Sequence, residues 1–161
     1  MGFKEKMAER KERQEALQYF RANNDAFMSP AKYLLIFLLM LVMAFVGALI
    51  QAVFTLGTGI SFGIFYFVAA YLIAWATKKT ASSVNDNVII LGMMAYVLMI
   101  LLTKLLMLWL PLAGFSHLLS VLTSLSMWNF AFKMVISSGV FAWISYILAG
   151  YELYMILKRM D

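Results

Sequence analysis

The stretch Tyr33–Phe54, YLLIFLLMLVMAFVGALIQAVF, contains 22 residues and no charged side chain. A helix rises 1.5 Å per residue, so this stretch extends over about 33 Å, enough to cross the ~30 Å hydrocarbon core of a bilayer. The whole chain is 64% hydrophobic and only 13% charged, which is too little charge for the surface of a soluble fold. The sequence therefore predicts an integral membrane protein.

Three further apolar stretches, at about 60–77, 88–110 and 134–157, follow the first span at about 33–54. Pro111 is predicted to end the third span, because proline lacks the N–H that a helix interior needs. Residues 112–133 place serine and threonine at helical spacing beside leucine, which is typical of an amphipathic helix, interfacial or re-entrant. We predict an all-α membrane bundle of four spans plus this helix. The alternative is five spans, in which residues 112–133 also cross.

The distribution of charge predicts the orientation of the bundle. Residues 1–28 are predicted to form a charged N-terminal helix, and residues 29–161 the transmembrane bundle. Lys78 and Lys79 follow the second span, whereas the connection before that span carries no cation. Because cytoplasmic loops are enriched in Lys and Arg, we place the N-terminus and the Lys78–Lys79 loop in the cytoplasm. The same rule accounts for the net charge of +5, so no nucleic-acid partner is predicted.

Glu152 is the one acidic residue embedded in a predicted span. An intramembrane carboxylate is a functional candidate by default, because its burial in lipid is costly. It lies about 8 Å of helical rise from the end of the last span. Three interpretations remain: an interfacial ion pair with Lys78 or Lys79, a proton or cation site, and a contact with a partner.

Four other polar residues are candidates for function. Gln51 is the strongly polar side chain of the first span. Lys104 and Lys133 lie near the predicted outer side, where they anchor helix ends or attract an anion. His117 is the only histidine and the chain has no cysteine, so we predict no metal site, no cofactor and no catalytic residue.

Small residues mark where helices are expected to pack closely. Gly59 and Gly63 form a G-x-x-x-G pair, a spacing at which transmembrane helices approach each other. Ala69, Ala70 and Ala74 continue this pattern along the second span. We predict packing within the bundle, with a homodimer face as the alternative.

Two stretches, Phe67–Ala81 (FVAAYLIAWATKKTA) and Val88–Tyr96 (VIILGMMAY), place a basic pair and a short polar loop between two spans. The last span ends with an aromatic-rich turn, Tyr151–Tyr154, before Lys158 and Arg159. Together they resemble a pattern in uncharacterised bacterial multi-pass membrane proteins. That resemblance implies four spans and a bacterial inner membrane, and it implies no activity. The charged N-terminal helix of this chain is longer than theirs.

Two functions fit these patterns. The first is a non-enzymatic accessory or scaffold subunit of a larger membrane complex, because few polar groups are available for chemistry or for a permeation path. The second is a small homo-oligomeric transporter or channel that uses Glu152, Gln51 and the serine and threonine residues of 116–124. One protomer has little polar lining, so a pore would need several copies. The predicted partners are the lipid bilayer and either other membrane proteins or further copies of this chain.

Overall fold

The computed structural model describes residues 12–13, 28–81, 84–113 and 118–159. Glu12 and Arg13 are helical, but the rest of the predicted N-terminal helix lies outside the described residues, as does His117. Every secondary-structure element in this part of the chain is a helix. The helices are α1 (Pro30–Thr58), α2 (Ile64–Thr80), α3 (Asp86–Ala113), α4 (Leu118–Leu122), α5 (Leu125–Ile136) and α6 (Val140–Lys158).

Three of these helices are long and apolar enough to cross a membrane: Pro30–Thr58, Asp86–Leu112 and Val140–Lys158. Leu125–Ile136 is a shorter apolar helix. The helix α2 has 17 residues and includes Lys78 and Lys79 in its last turn. The prediction of an all-helical chain is thus confirmed for the described residues, and three helices there, rather than four, have the length and composition of a membrane span.

The predicted boundaries need three corrections. Pro111 does not end the third span, because α3 continues through it to Ala113. The proline lies in the last turn, where its missing N–H frees only one carbonyl before the helix ends. The segment 112–133 is not one helix, since the extended backbone of Ser124 separates α4 from α5. The predicted span 134–157 is interrupted at Ser137–Gly139, between α5 and α6.

Local sequence signals fix both ends of α1 and the start of α3. Ser29 caps α1 by accepting a hydrogen bond from the Lys32 N–H at 3.3 Å, and Pro30 occupies the first turn. Gly59 ends α1 in the left-handed conformation, with φ of +71°. Asn85 accepts a hydrogen bond from the Val88 N–H at 3.1 Å and donates one to the Tyr33 hydroxyl at 2.6 Å. Asn85 therefore caps α3 and ties its start to the start of α1.

The four long helices form a bundle of alternating direction. The helix α1 packs against both α2 and α3, and α6 packs against the same two helices. Leu157, near the end of α6, contacts Gly92 near the start of α3. The starts of α1 and α3 and the ends of α2 and α6 therefore share one end of the bundle. We call this the basic end, because it carries Lys32, Lys78, Lys79 and Lys158.

Small side chains allow the helices to approach closely in the core. Ala44, Ala48 and Ala52 of α1 are fully buried, as are Ala69 and Ala70 of α2. Large apolar side chains cover much of the outer surface, as lipid-facing positions of a membrane bundle do. Among them are Leu34, Leu38, Val42, Val68, Tyr71, Ile90, Met94, Val97, Ile147 and Leu148.

Candidate functional site

The interruption between α5 and α6 lies beside α3. Leu105 of α3 clusters with Ala131 of α5, and Trp128 packs against this cluster. Tyr96, earlier in α3, contacts Gly150 of α6. The helices α5 and α6 thus both pack on α3, at different points along it.

The backbone between these two pieces is irregular. Ser137 and Ser138 complete the last turn of α5 through N–H bonds to the carbonyls of Lys133 and Val135, at 2.9 and 3.1 Å. Gly139 is extended and gives α6 no side-chain cap. The interruption therefore places the half-buried Ser138 hydroxyl beside the bundle, whereas the uncapped start of α6 is exposed.

A row of hydroxyl groups runs inward from this interruption. The Tyr66 hydroxyl of α2 donates to the Tyr146 hydroxyl of α6 at 3.4 Å. The Tyr146 and Ser138 hydroxyls are 3.3 Å apart, and Ser138 donates to the Met134 carbonyl at 2.9 Å. These distances are consistent with one directed chain from Tyr66 through Tyr146 and Ser138 to the carbonyl. In addition, the Tyr96 hydroxyl of α3 donates to the Tyr146 carbonyl at 3.0 Å.

The tyrosine rings hold this row in place. The Tyr66 and Tyr146 rings meet edge to face, with centroids 4.7 Å apart, and Trp143 packs edge to face on Tyr146 at 5.8 Å. Aromatic pairs prefer this geometry because a ring edge is attracted to a ring face. The two tyrosine rings therefore join α2 to α6 at the level of the hydroxyl row.

Gln51 of α1 completes the polar cluster. Its side chain is fully buried and lies close to the Tyr66 hydroxyl, but without hydrogen-bond geometry. Neither its amide nitrogen nor its amide oxygen has a hydrogen-bond partner among the residues that the structure describes. The same holds for the buried hydroxyl oxygen of Thr55, one turn further along α1. An unpaired buried polar group costs about 1–3 kcal/mol, so three such atoms within two successive turns of α1 are unusual.

Of the polar candidates that fall within the described residues, Gln51 alone belongs to this cluster. Glu152 is half-buried on α6, and no ion pair in the described part of the chain joins it to Lys78 or Lys79. Instead, the Lys79 ammonium lies 6.0 Å from the centre of the Trp75 ring.

The two lysine candidates, Lys104 and Lys133, also lie outside the cluster. Lys104 is half-buried on α3, and Lys133 is exposed near the end of α5. Lys133 is the basic residue of the last turn of α5, where it is favourably placed for the helix dipole. Neither lysine takes part in the hydroxyl row.

The Gly59 and Gly63 pair does not form one helical packing face, because α1 ends before Gly59 and α2 begins after Gly63. Gly59 has open space around it. Gly63 instead packs on α6, where a Cβ atom at position 63 would overlap the Ser145 side chain. The close helix approach that the sequence predicts does occur, but between Gly47 of α1 and Ala69 of α2.

Sequence reasoning did not identify Tyr66, Tyr96 or Tyr146 as site residues. One local signal pointed to this region: Ser137-Ser138-Gly139 interrupts an apolar stretch with residues that favour turns. Nothing in the sequence indicates that Tyr66 meets Tyr146, because 80 positions separate them.

The cluster contains uncharged groups that donate and accept hydrogen bonds, and it contains no set of metal ligands. No group of three or more His, Cys, Asp or Glu residues comes together within the described ranges. Comparison with known proteins finds no match: no protein family, no curated protein and no solved structure is significantly similar to this chain.

Proposed function

We propose that this chain crosses the cell membrane four times, through α1, α2, α3 and α6, with its basic end in the cytoplasm. The α2 helix packs among the three candidate spans, and its 17 residues rise about 25 Å. Lys78 and Lys79 then lie at the cytoplasmic boundary, as the positive-inside rule requires. We assign the membrane to the bacterial inner membrane, by the resemblance of the α2–α3 hairpin.

Single cysteines test this topology directly, because the chain has no cysteine of its own. Ser61→Cys is expected to react with a membrane-impermeant maleimide in intact cells, since residue 61 is exposed between α1 and α2. Asn87→Cys and Lys158→Cys are expected to react only after the membrane is permeabilised. Labelling of Lys158→Cys but not Asn87→Cys in intact cells would support five spans and contradict this topology.

Within that topology, the role that we propose is a non-enzymatic accessory or scaffold subunit of a larger membrane complex. The observation that carries this proposal is a set of very exposed apolar residues at the end opposite the basic end. Within the described ranges, five large hydrophobic side chains are more than 70% exposed, and they are Leu112, Leu119, Leu125, Val140 and Phe141. We call them the far-end hydrophobic residues.

Lipid tails do not account for all of these residues. Leu112 lies 26 residues, or about 39 Å of helical rise, beyond the start of α3, which exceeds the ~30 Å hydrocarbon core. Leu119 and Leu125 follow it in the chain. Exposed apolar residues at a polar boundary mark contact sites, because their contact with water is unfavourable. A second membrane protein that covers this end removes that cost.

A photo-crosslinking amino acid at Leu125 tests the proposal in native membranes. We expect one defined adduct with a different, larger protein. A crosslinker at Ile90 is the matched control, because Ile90 is 57% exposed on the side of α3 near the basic end. The adduct should disappear in the Leu119→Ser/Phe141→Ser variant, provided that this variant remains folded. Adducts with lipid alone at both positions would contradict a subunit role.

The second candidate function is a small homo-oligomeric transporter or channel. The buried, unpaired Gln51 amide favours it, because polar groups inside a membrane bundle mark pathways for ligands and ions. In the same experiment, a Leu125 adduct between two copies of this chain, with no other protein, would favour this candidate over the accessory subunit.

A further inference from the structure

We propose that Gln51, Thr55, Tyr66, Tyr146 and Ser138 form a hydrated site, in which bound water reaches the bundle core from the α5–α6 interruption. The site is distinct from the far-end hydrophobic residues and does not depend on the accessory role. Each side of it comes from a different helix: Gln51 and Thr55 from α1, Tyr66 from α2, and Tyr146 from α6. Ser138 joins it from the interruption.

The first reason is the hydrogen-bonding capacity that the protein leaves unused. The Gln51 amide offers two donors and a carbonyl oxygen, and Thr55 offers a hydroxyl group. All three of these polar heavy atoms are buried without a partner in the described part of the protein. The Tyr66 hydroxyl donates toward Tyr146, so its oxygen remains able to accept a bond from the side of Gln51. Water supplies both donors and acceptors, and it typically makes about three bonds to such groups.

The second reason is the backbone at the interruption. The interruption lies at the end of the bundle opposite the basic end, where α6 and α2 begin, and its backbone is irregular. Gly139 and Gly63 begin α6 and α2 without side-chain caps. Helix starts carry N–H groups without intrahelical partners, and water satisfies them. Ser138 is half-buried, so it marks the route by which water enters.

The third reason identifies the ligand as neutral. The five side chains of the site carry no charge at neutral pH. A desolvated ion without a counter-charge is far more costly in this environment than a neutral hydrogen-bonding molecule. The geometry therefore points to water rather than a metal ion or an organic anion.

Radiolytic footprinting of the full-length protein in lipid nanodiscs tests this site. Hydroxyl radicals generated from bound water modify the side chains next to that water, even where bulk solvent does not reach. We expect modification of Tyr66 and Tyr146, which are 2% and 4% exposed. Met40 and Met99 are the controls: they are fully buried in the apolar core and chemically more reactive, yet we expect them to remain unmodified.

Two variants assign the water to this cluster. Gln51→Leu keeps a similar volume and removes the amide, so modification of Tyr66 should fall several-fold. Ser138→Ala removes the hydroxyl at the other end of the row, so modification of Tyr146 should fall. Ile50→Val, at the neighbouring lipid-exposed position on α1, should change neither. Unmodified Met40 and Met99 in each variant show that the bundle remains folded.

Two results would overturn the proposal. If Tyr66 and Tyr146 of the wild-type protein remain as unmodified as Met40 and Met99, the cluster contains no bound water. Strong tyrosine modification that persists in both Gln51→Leu and Ser138→Ala would show that other groups hold the water. If Met40 and Met99 become modified in Gln51→Leu, that variant has lost its fold. The modification of Tyr146 in Ser138→Ala then tests by itself whether this cluster holds the water.

Discussion

Gly47→Leu is expected to prevent α1 from packing against α2 and to leave little folded protein. A Cβ atom at position 47 would lie 2.6 Å from the Ala69 Cβ and 3.2 Å from the Ala69 Cα. The second distance involves backbone, which a rotamer change cannot relieve, so the two helices must separate. Overpacking of a core typically costs about 1–3 kcal/mol or more, and leucine adds three further carbons beyond the Cβ. Size-exclusion chromatography after heating should show a large loss of the monodisperse peak.

Two further variants establish that the Ala69 contact is the cause. Gly57→Leu is the matched control, because position 57 lies on the same helix, is exposed and would place a Cβ atom with no neighbour within 4 Å. It should be neutral or slightly stabilising, because glycine disfavours a helix by about 1 kcal/mol relative to good helix formers. Gly47→Ala should destabilise the protein, and Gly47→Ala/Ala69→Gly should recover stability by moving the methyl group to the other helix. A Gly47→Ala protein as stable as the wild type would contradict the contact.

The sequence predicts the elements that depend on local chemistry. The apolar stretch at 33–54 lies within α1, and the Ser29-Pro30 pair begins that helix in the structure. Small residues predict close helix packing, which the structure shows between α1 and α2 at Gly47 and Ala69. These features follow from helix capping and from side-chain size, both of which can be read along the chain.

Features that depend on distant contacts could not be predicted in the same way. The prediction that Gly59 and Gly63 share a packing face requires both to lie on one continuous helix. The left-handed conformation of Gly59 ends α1 before the pair, so the face does not form. Residues 134–157 have the composition of one span, and the interruption at Ser137–Gly139 becomes clear only when α5 and α6 pack on separate parts of α3. The hydroxyl row follows from that packing, since its members come from α2, from α6 and from the interruption.

Tyr146 connects several parts of the polar cluster. Its ring packs on Tyr66 of α2, its hydroxyl meets those of Tyr66 and Ser138, and its carbonyl accepts a bond from Tyr96 of α3. Removing the side chain therefore takes away the contact between α2 and α6 as well as the link to the interruption. The ring and the hydroxyl contribute separately, so two substitutions distinguish them.

Tyr146→Ala should lower the midpoint of thermal unfolding far more than Tyr146→Phe. Loss of a buried aromatic ring typically costs about 3–5 kcal/mol, whereas one hydrogen bond between membrane helices contributes about 0.6 kcal/mol on average. At about 2–4 °C per kcal/mol for a chain of this size, the alanine variant should lose roughly 10 °C and the phenylalanine variant a few degrees at most. Tyr151→Ala, on an exposed position of the same helix, should change the midpoint little. Equal losses for Tyr146→Ala and Tyr151→Ala would mean that α6 is not held to α2 at this point. A loss for Tyr146→Phe as large as that for Tyr146→Ala would instead show that the hydroxyl row, rather than ring packing, joins the two helices.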